Sequence, residues 1–126
     1  MKQIKEGKKE LHIVNDKLGT PTYTHDFAEN VNLLIEKRER GLFNMVCGGL
    51  TGRFEVANEL VQLLGLEDEI KVTEVDSEYF SKEYFADRPA CERLINKKLD
   101  DLRLNIMRDW KVTLKEYIED YYFNYL

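Results

Sequence analysis

Apolar positions fall in short separate blocks along this chain, and their spacing switches between the two-residue period of a strand and the 3.6-residue period of a helix. Glu10 to Asn15 is short and β-rich, and Asp16-Lys-Leu-Gly19 closes it with turn chemistry. Phe27, Ala28, Val31, Leu34 and Ile35 then share one helical face, with Asp26 placed to cap the helix and Gly41 where the chain should leave it. Leu42 to Val46 has strand length, and Arg53 to Leu64 sets Phe54, Ala57, Leu60, Val61 and Leu64 on one stripe before Gly65. Ile70 to Val75 reads as a further strand. Pro89 suits the first turn of a helix from Ala90 to Lys98. Thr113-Leu-Lys-Glu116 has the form of a capping box, and Leu114, Tyr117, Ile118, Tyr121, Tyr122 and Tyr125 lie on one face of a closing helix. Strands alternating with helices predict an α/β arrangement, but three strands are few for a sheet covered on both faces.

The 126 residues hold no Pro/Gly-rich linker, repeat or low-complexity tract, so a single unit is expected. With 24 acidic against 19 basic residues spread along the chain, there is no basic stripe to release counterions from a nucleic acid. The Lys-rich start, Met1 to Lys9, includes Glu6 and reads as a solvated helix end. No apolar run approaches the ~18 to 20 residues that span a bilayer, and no secretory h-region opens the chain, which predicts a cytoplasmic protein without a membrane partner. Cys47 and Cys91 lack CxxC spacing and are expected to be reduced structural thiols, with no metal site.

Candidate chemistry is sparse. Cys47-Gly-Gly-Leu-Thr-Gly52 lies between a strand and a helix, the place of a dinucleotide-binding turn, but Cys47 stands where the first glycine should be. A plain glycine-rich turn is the expectation. His12 and His25 have no Ser or Cys partner in a recognisable motif and read as structural. The YxxxK pair, in which a lysine lowers the pKa of an acid tyrosine, is not found: Lys82 follows Tyr79 one position too soon, and Arg88 occupies the lysine position after Tyr84. No catalytic residue is assigned.

Taken together, four ordered blocks resemble the C-terminal portion of the dTDP-4-dehydrorhamnose reductases, members of the extended short-chain dehydrogenase/reductase superfamily and akin to NAD-dependent epimerases and dehydratases. Asp16-Lys-Leu-Gly-Thr-Pro-Thr-Tyr-Thr-His-Asp-Phe-Ala28 is similar to the family's D-Q-x-G-x-P-T-Y-x-x-D-L-A block. Gly41 to Gly49 with Arg53-Phe-Glu-Val-Ala57 resembles its strand, glycine turn and S-R-x-E-x-A helix. Arg88-Pro89 through Leu94, with Lys98-Leu99, is similar to R-P-x-x-S-x-L and a later K-L, and Trp110 to Tyr117 resembles the closing W-x-x-x-L-x-x-Y helix. Lys17 departs from the usual Gln, Gly52 from Ser and Glu92 from Ser.

The resemblance implies an incomplete Rossmann-like α/β fold spanning residues 1–126 as a C-terminal substrate-binding portion. In the family, the preceding half carries the NAD(P)-binding loop, the catalytic Thr and the YxxxK pair. NADP(H) or NAD(H) would thus be the cofactor of the whole enzyme and not of this chain alone. The ligand implied is a nucleotide-diphosphate sugar. Arg88 offers a planar fork for the diphosphate, as related enzymes use the arginine of this block. Thr22 and Tyr23 are candidates for the same pocket, Lys17 for a point charge near the nucleotide, and Arg53 for a weaker contact. Helices without enough strands to cover predict exposed apolar faces, met by the other half or by self-association. A non-catalytic regulatory subunit that binds another enzyme, and a small nucleotide-binding module using Gly48-Gly49, are the other readings.

Overall fold

The computed structural model describes residues 1–82 and 89–122. In chain order these form α1 (Lys2–Lys5), β1 (Glu10–Val14), α2 (Thr24–Glu36), α3 (Arg53–Leu63), β2 (Lys71–Val75), a 3-10 turn at Ser77–Phe80, α4 (Lys97–Asp101) and α5 (Trp110–Tyr122). β1 and β2 pair in parallel, with Leu11 opposite Val72 and Ile13 opposite Glu74. Parallel neighbours need a long crossover, and α2 and α3 lie within it. Side-chain alternation sends Leu11, Ile13 and Val72 to one face. There Leu11 and Ile70 pack with Val61 of α3, and Ile4, Ile13, Leu66 and Val72 extend this core. On the other face Val14 is buried, while Glu10 accepts hydrogen bonds from Lys71 and Thr73, and the His12 ring stacks on Tyr79 with centroids 5.0 Å apart.

The expected third strand does not form. Residues 42–46 belong to no strand, and the place of a neighbouring strand beside Val46 is taken by one side chain. The Val46 N–H donates to Asn96 Oδ1 at 2.9 Å, and Asn96 Nδ2 donates to the Val46 carbonyl at 2.8 Å. A primary amide carries donor and acceptor at nearly the spacing of a peptide group, which is why one asparagine can do this. Asn30, fully buried, does the same for a second stretch: it donates to the Leu104 carbonyl and accepts from the Ile106 N–H.

The helix expected over Ala90 to Lys98 is also replaced. Leu18 donates to the Ala90 carbonyl and accepts from the Glu92 N–H, both at 2.8 Å, so this segment runs as a parallel bridge and only α4 is helical. Tertiary pairing overrides local propensity here. α5 starts at Trp110, ahead of the expected capping box; Thr113 lies inside it and donates its hydroxyl to the Trp110 carbonyl. Tyr125 lies outside the described residues.

α2 departs from expectation at both ends and along its face. It begins at Thr24, so Asp26 sits in the first turn and is not the cap. It ends at Glu36, and Arg38, at φ 57°, takes the left-handed closing position expected of a glycine. Its buried line is Asp26, Asn30 and Leu34, whereas Phe27 and Ile35 of the predicted apolar stripe are exposed. Among the described residues no helix is long and apolar enough to cross a membrane.

Candidate functional site

Open α/β sheets bind ligands beyond the carboxyl ends of their strands, where the loops diverge. Beyond β1 and β2 the chain is stitched at nearly every residue. Asn15 donates to the Val75 carbonyl, extending the ladder one step. Asp16 Oδ2 accepts from the Ser77 N–H at 3.1 Å and from its hydroxyl at 2.5 Å. Those two bonds, the hydroxyl first, hold the Asp16 carboxyl below the usual carboxylate range. Leu18 bridges Cys91 on one side and Gly52 on the other. Gly19 donates to the Thr51 carbonyl, and the Thr20 hydroxyl to that of Gly49. Residues 15–20 thus form a crosspiece joining the end of β2, the Ala90–Glu92 segment and the turn before α3.

Two of the sequence-predicted residues meet at this crosspiece. Lys17 lies within it, half-buried, and its carbonyl is 3.2 Å from where a Cβ would stand on Gly52. Arg53, exposed, follows Gly52 as the first residue of α3, whose entry is fixed by the Gly52 N–H donating to Glu55 at 2.9 Å. Arg88 lies outside the described residues, as do Tyr84 and Asp87; Ala90, two positions after Arg88, is the residue bonded to Leu18.

Thr22 and Tyr23 are elsewhere. They line a cleft of about 350 Å³ whose other walls include Trp110, Leu114 and Tyr117 of α5, and whose lining contains neither Lys17 nor Arg53. Tyr23 meets Tyr117 edge-on at 6.2 Å and stacks on His25 at 5.8 Å. Desolvation pushes the Tyr23 phenol above its ordinary value, and Tyr121, Glu116 and Asp120 push it further.

Sequence reasoning missed the strongest electrostatic feature, a charged network behind this cleft. Asp26, 2% exposed, accepts from Arg108 Nε at 3.0 and 3.1 Å, from Nη2 at 2.6 Å and from the Arg108 backbone N–H at 3.1 Å. The other side of the guanidinium meets Glu116 at 2.5 and 3.1 Å. Arg108 bonding lowers the pKa of both carboxyls, and the two carboxylates raise that of the guanidinium. No local pattern signals this pairing, because Asp26 and Arg108 are 82 positions apart.

The Gly48-Gly49 turn is occupied by the protein itself. Gly48 donates to the Arg108 carbonyl and accepts from the Trp110 N–H. A Cβ on Gly49 would stand 2.6 Å from Trp110 Cδ1 and 2.8 Å from Asp109 Oδ2. An indole and a carboxylate fill the space a pyrophosphate would need, so these residues do not fit a dinucleotide. Among the described residues, no group of three or more His, Cys, Asp or Glu side chains could hold a metal ion.

This parallel α/β unit, with its loops stitched beyond the strand ends, matches a substrate-binding portion of the reductase fold. The chain belongs to the RmlD substrate binding domain family, which it matches over residues 1–123. It is 31% identical to the spore coat polysaccharide biosynthesis protein SpsK of Bacillus subtilis (strain 168) over 95% of its own length and 40% of that protein's. With the dTDP-4-dehydrorhamnose reductase of Mycolicibacterium smegmatis it shares 25% identity over 92% of this chain and 35% of that one. A solved dTDP-4-dehydrorhamnose reductase from Clostridium acetobutylicum superimposes with a TM-score of 0.85 at 35% identity, covering 93% of this chain and 40% of that one. The Bacillus anthracis reductase, solved in complex with NADP, shares the fold at 23% identity, with a TM-score of 0.83 over 94% of this chain and 41% of that one. The chain thus spans about 40% of the length of these relatives.

Proposed function

We propose that residues 1–126 form the nucleotide-sugar-binding part of a dTDP-4-dehydrorhamnose reductase-like oxidoreductase that serves dTDP-L-rhamnose or related activated deoxysugar synthesis. The supporting observation is the crosspiece beyond β1 and β2, which brings Lys17, Arg53 and the segment following Arg88 to one end of the sheet. Arg88 supplies a bidentate fork to the diphosphate, and Lys17 and Arg53 supply further positive charge. Thr22 and Tyr23, in their separate cleft, have a weaker claim to the ligand. Hydride transfer from NADP(H) or NAD(H) is assigned to residues outside this chain, a reading supported by the packing of Trp110 against the Gly48-Gly49 turn.

Exposed Ile35, Leu42 and Ile95, at 68%, 88% and 70%, support a contact with further protein, either the cofactor-binding half of the enzyme or a second copy. No observation favours the regulatory-subunit reading. Calorimetric titration of the chain with dTDP and with NADPH tests the proposal. Binding of dTDP without NADPH is expected; tight NADPH binding, or no response to dTDP, overturns it.

A further inference from the structure

Asp16 is an unexpected neighbour for a diphosphate site. An exposed carboxylate next in sequence to Lys17 repels an anionic ligand, and as a bystander it would weaken binding. Its geometry is not that of a bystander. One carboxylate oxygen accepts both bonds from Ser77, joining the loop after β1 to the loop after β2. Around it, Asn15, Leu18, Gly19 and Thr20 are tied down through backbone groups or a hydroxyl. The Asn15 side chain donates to Glu74 within β2, and the Asp16 carboxylate ties the crosspiece to the loop after β2.

We infer that Asp16 is a positioning residue of the ligand site, acting through its clasp on Ser77 to set the backbone that carries Lys17 toward the phosphate groups of the nucleotide. The inference rests on the diphosphate reading of the site. It goes further by assigning a role to an acidic side chain and by fixing the sign of its effect. An ordinary acid beside an anion site hinders binding, so its removal tightens the complex. A positioning acid does the opposite: its removal loosens the turn, and the cation is no longer held where the phosphate needs it.

The probe is dTDP, titrated calorimetrically into the whole chain. Asp16→Ala is expected to weaken binding about five- to tenfold, the scale of a typical net hydrogen bond, as befits an exposed carboxylate. Ser77→Ala, which keeps the N–H but loses the hydroxyl, weakens it about two- to threefold, and Ser77→Thr, which keeps both donors, binds as the parent does. Removing Asp16 in a Lys17→Ala background brings no further loss, which separates an effect through Lys17 from general loosening. Equal or tighter binding by Asp16→Ala overturns the inference, as does a full additional loss in the double variant. If Asp16→Ala does not fold, as judged by circular dichroism, the two Ser77 variants decide it, and parent-like binding by Ser77→Ala overturns it. A parent chain that ignores dTDP removes the site reading and this inference together, a failure visible before any variant is made.

Discussion

Arg108 holds Asp26 by its backbone N–H and by its guanidinium at once, which fixes the first turn of α2 against the entry to α5. Asp26 is almost wholly buried, while Arg108 is 40% exposed and turns its free edge to Glu116. Arg108→Ala would therefore leave a buried carboxylate without its counter-charge. A loss of about 2 to 3 kcal/mol is expected, below that of a fully buried pair because water screens the exposed side. Glu116→Gln should cost less, since Asp26 keeps its partner. Urea denaturation at pH 7 measures both.

The same network sets a pH dependence. Asp26 and Glu116 have pKa values lowered by Arg108, so the folded state binds fewer protons than the unfolded chain as acid is added. The stability they contribute is full above about pH 5 and is lost as pH falls through about 4 toward the lowered folded values. In Arg108→Ala the buried Asp26 favours its neutral form, and this part of the acid sensitivity should vanish or reverse. Denaturation midpoints at pH 7, 5 and 3 for parent and variant show it.

Asn30→Leu replaces a fully buried amide with an apolar side chain of similar size. It leaves the Leu104 carbonyl and the Ile106 N–H without their partner. The expected cost is about 1 to 2 kcal/mol, despite the gain in hydrophobicity, because two part-buried backbone groups lose their hydrogen bonds. A thermal melt that stays level or rises would show that water replaces the amide.

Gly49→Ala should destabilise the protein by about 2 kcal/mol or more, since φ is +93° and the added carbon would collide with Trp110. The chain has a single tryptophan, so its fluorescence reports the displacement directly. Gly19→Ala meets nothing within 4 Å and serves as the neutral control.

How much of this was legible in the sequence follows from the range of each interaction. β1, β2 and the stripe of α3 were readable because their signals lie within a few consecutive residues. The segment at Leu42 to Val46 looked like a strand and is held like one, but by Asn96, whose role no local pattern reveals. α2 misled for a related reason: its buried line includes Asp26 and Asn30, polar residues that become suitable for burial only once the chain near residues 104–108 brings their partners. Of the residues proposed for the site, Lys17 and Arg53 come from motif blocks, and what places their segments side by side is Leu18 pairing with two distant stretches. The Asp16 clasp on Ser77, across 61 positions, left no trace in either segment alone.

The parallel ladder also constrains how the chain comes to be folded. Glu10 pairs with Lys71, 61 positions later, so β2, the partner of β1, is made long after β1 itself. At ordinary synthesis rates β1 waits about 3 to 12 s for β2 to be made. Through that interval the edge of β1 that β2 will cover is available to any other extended segment. Its protection must come from speed of closure once β2 emerges, or from a chaperone before then.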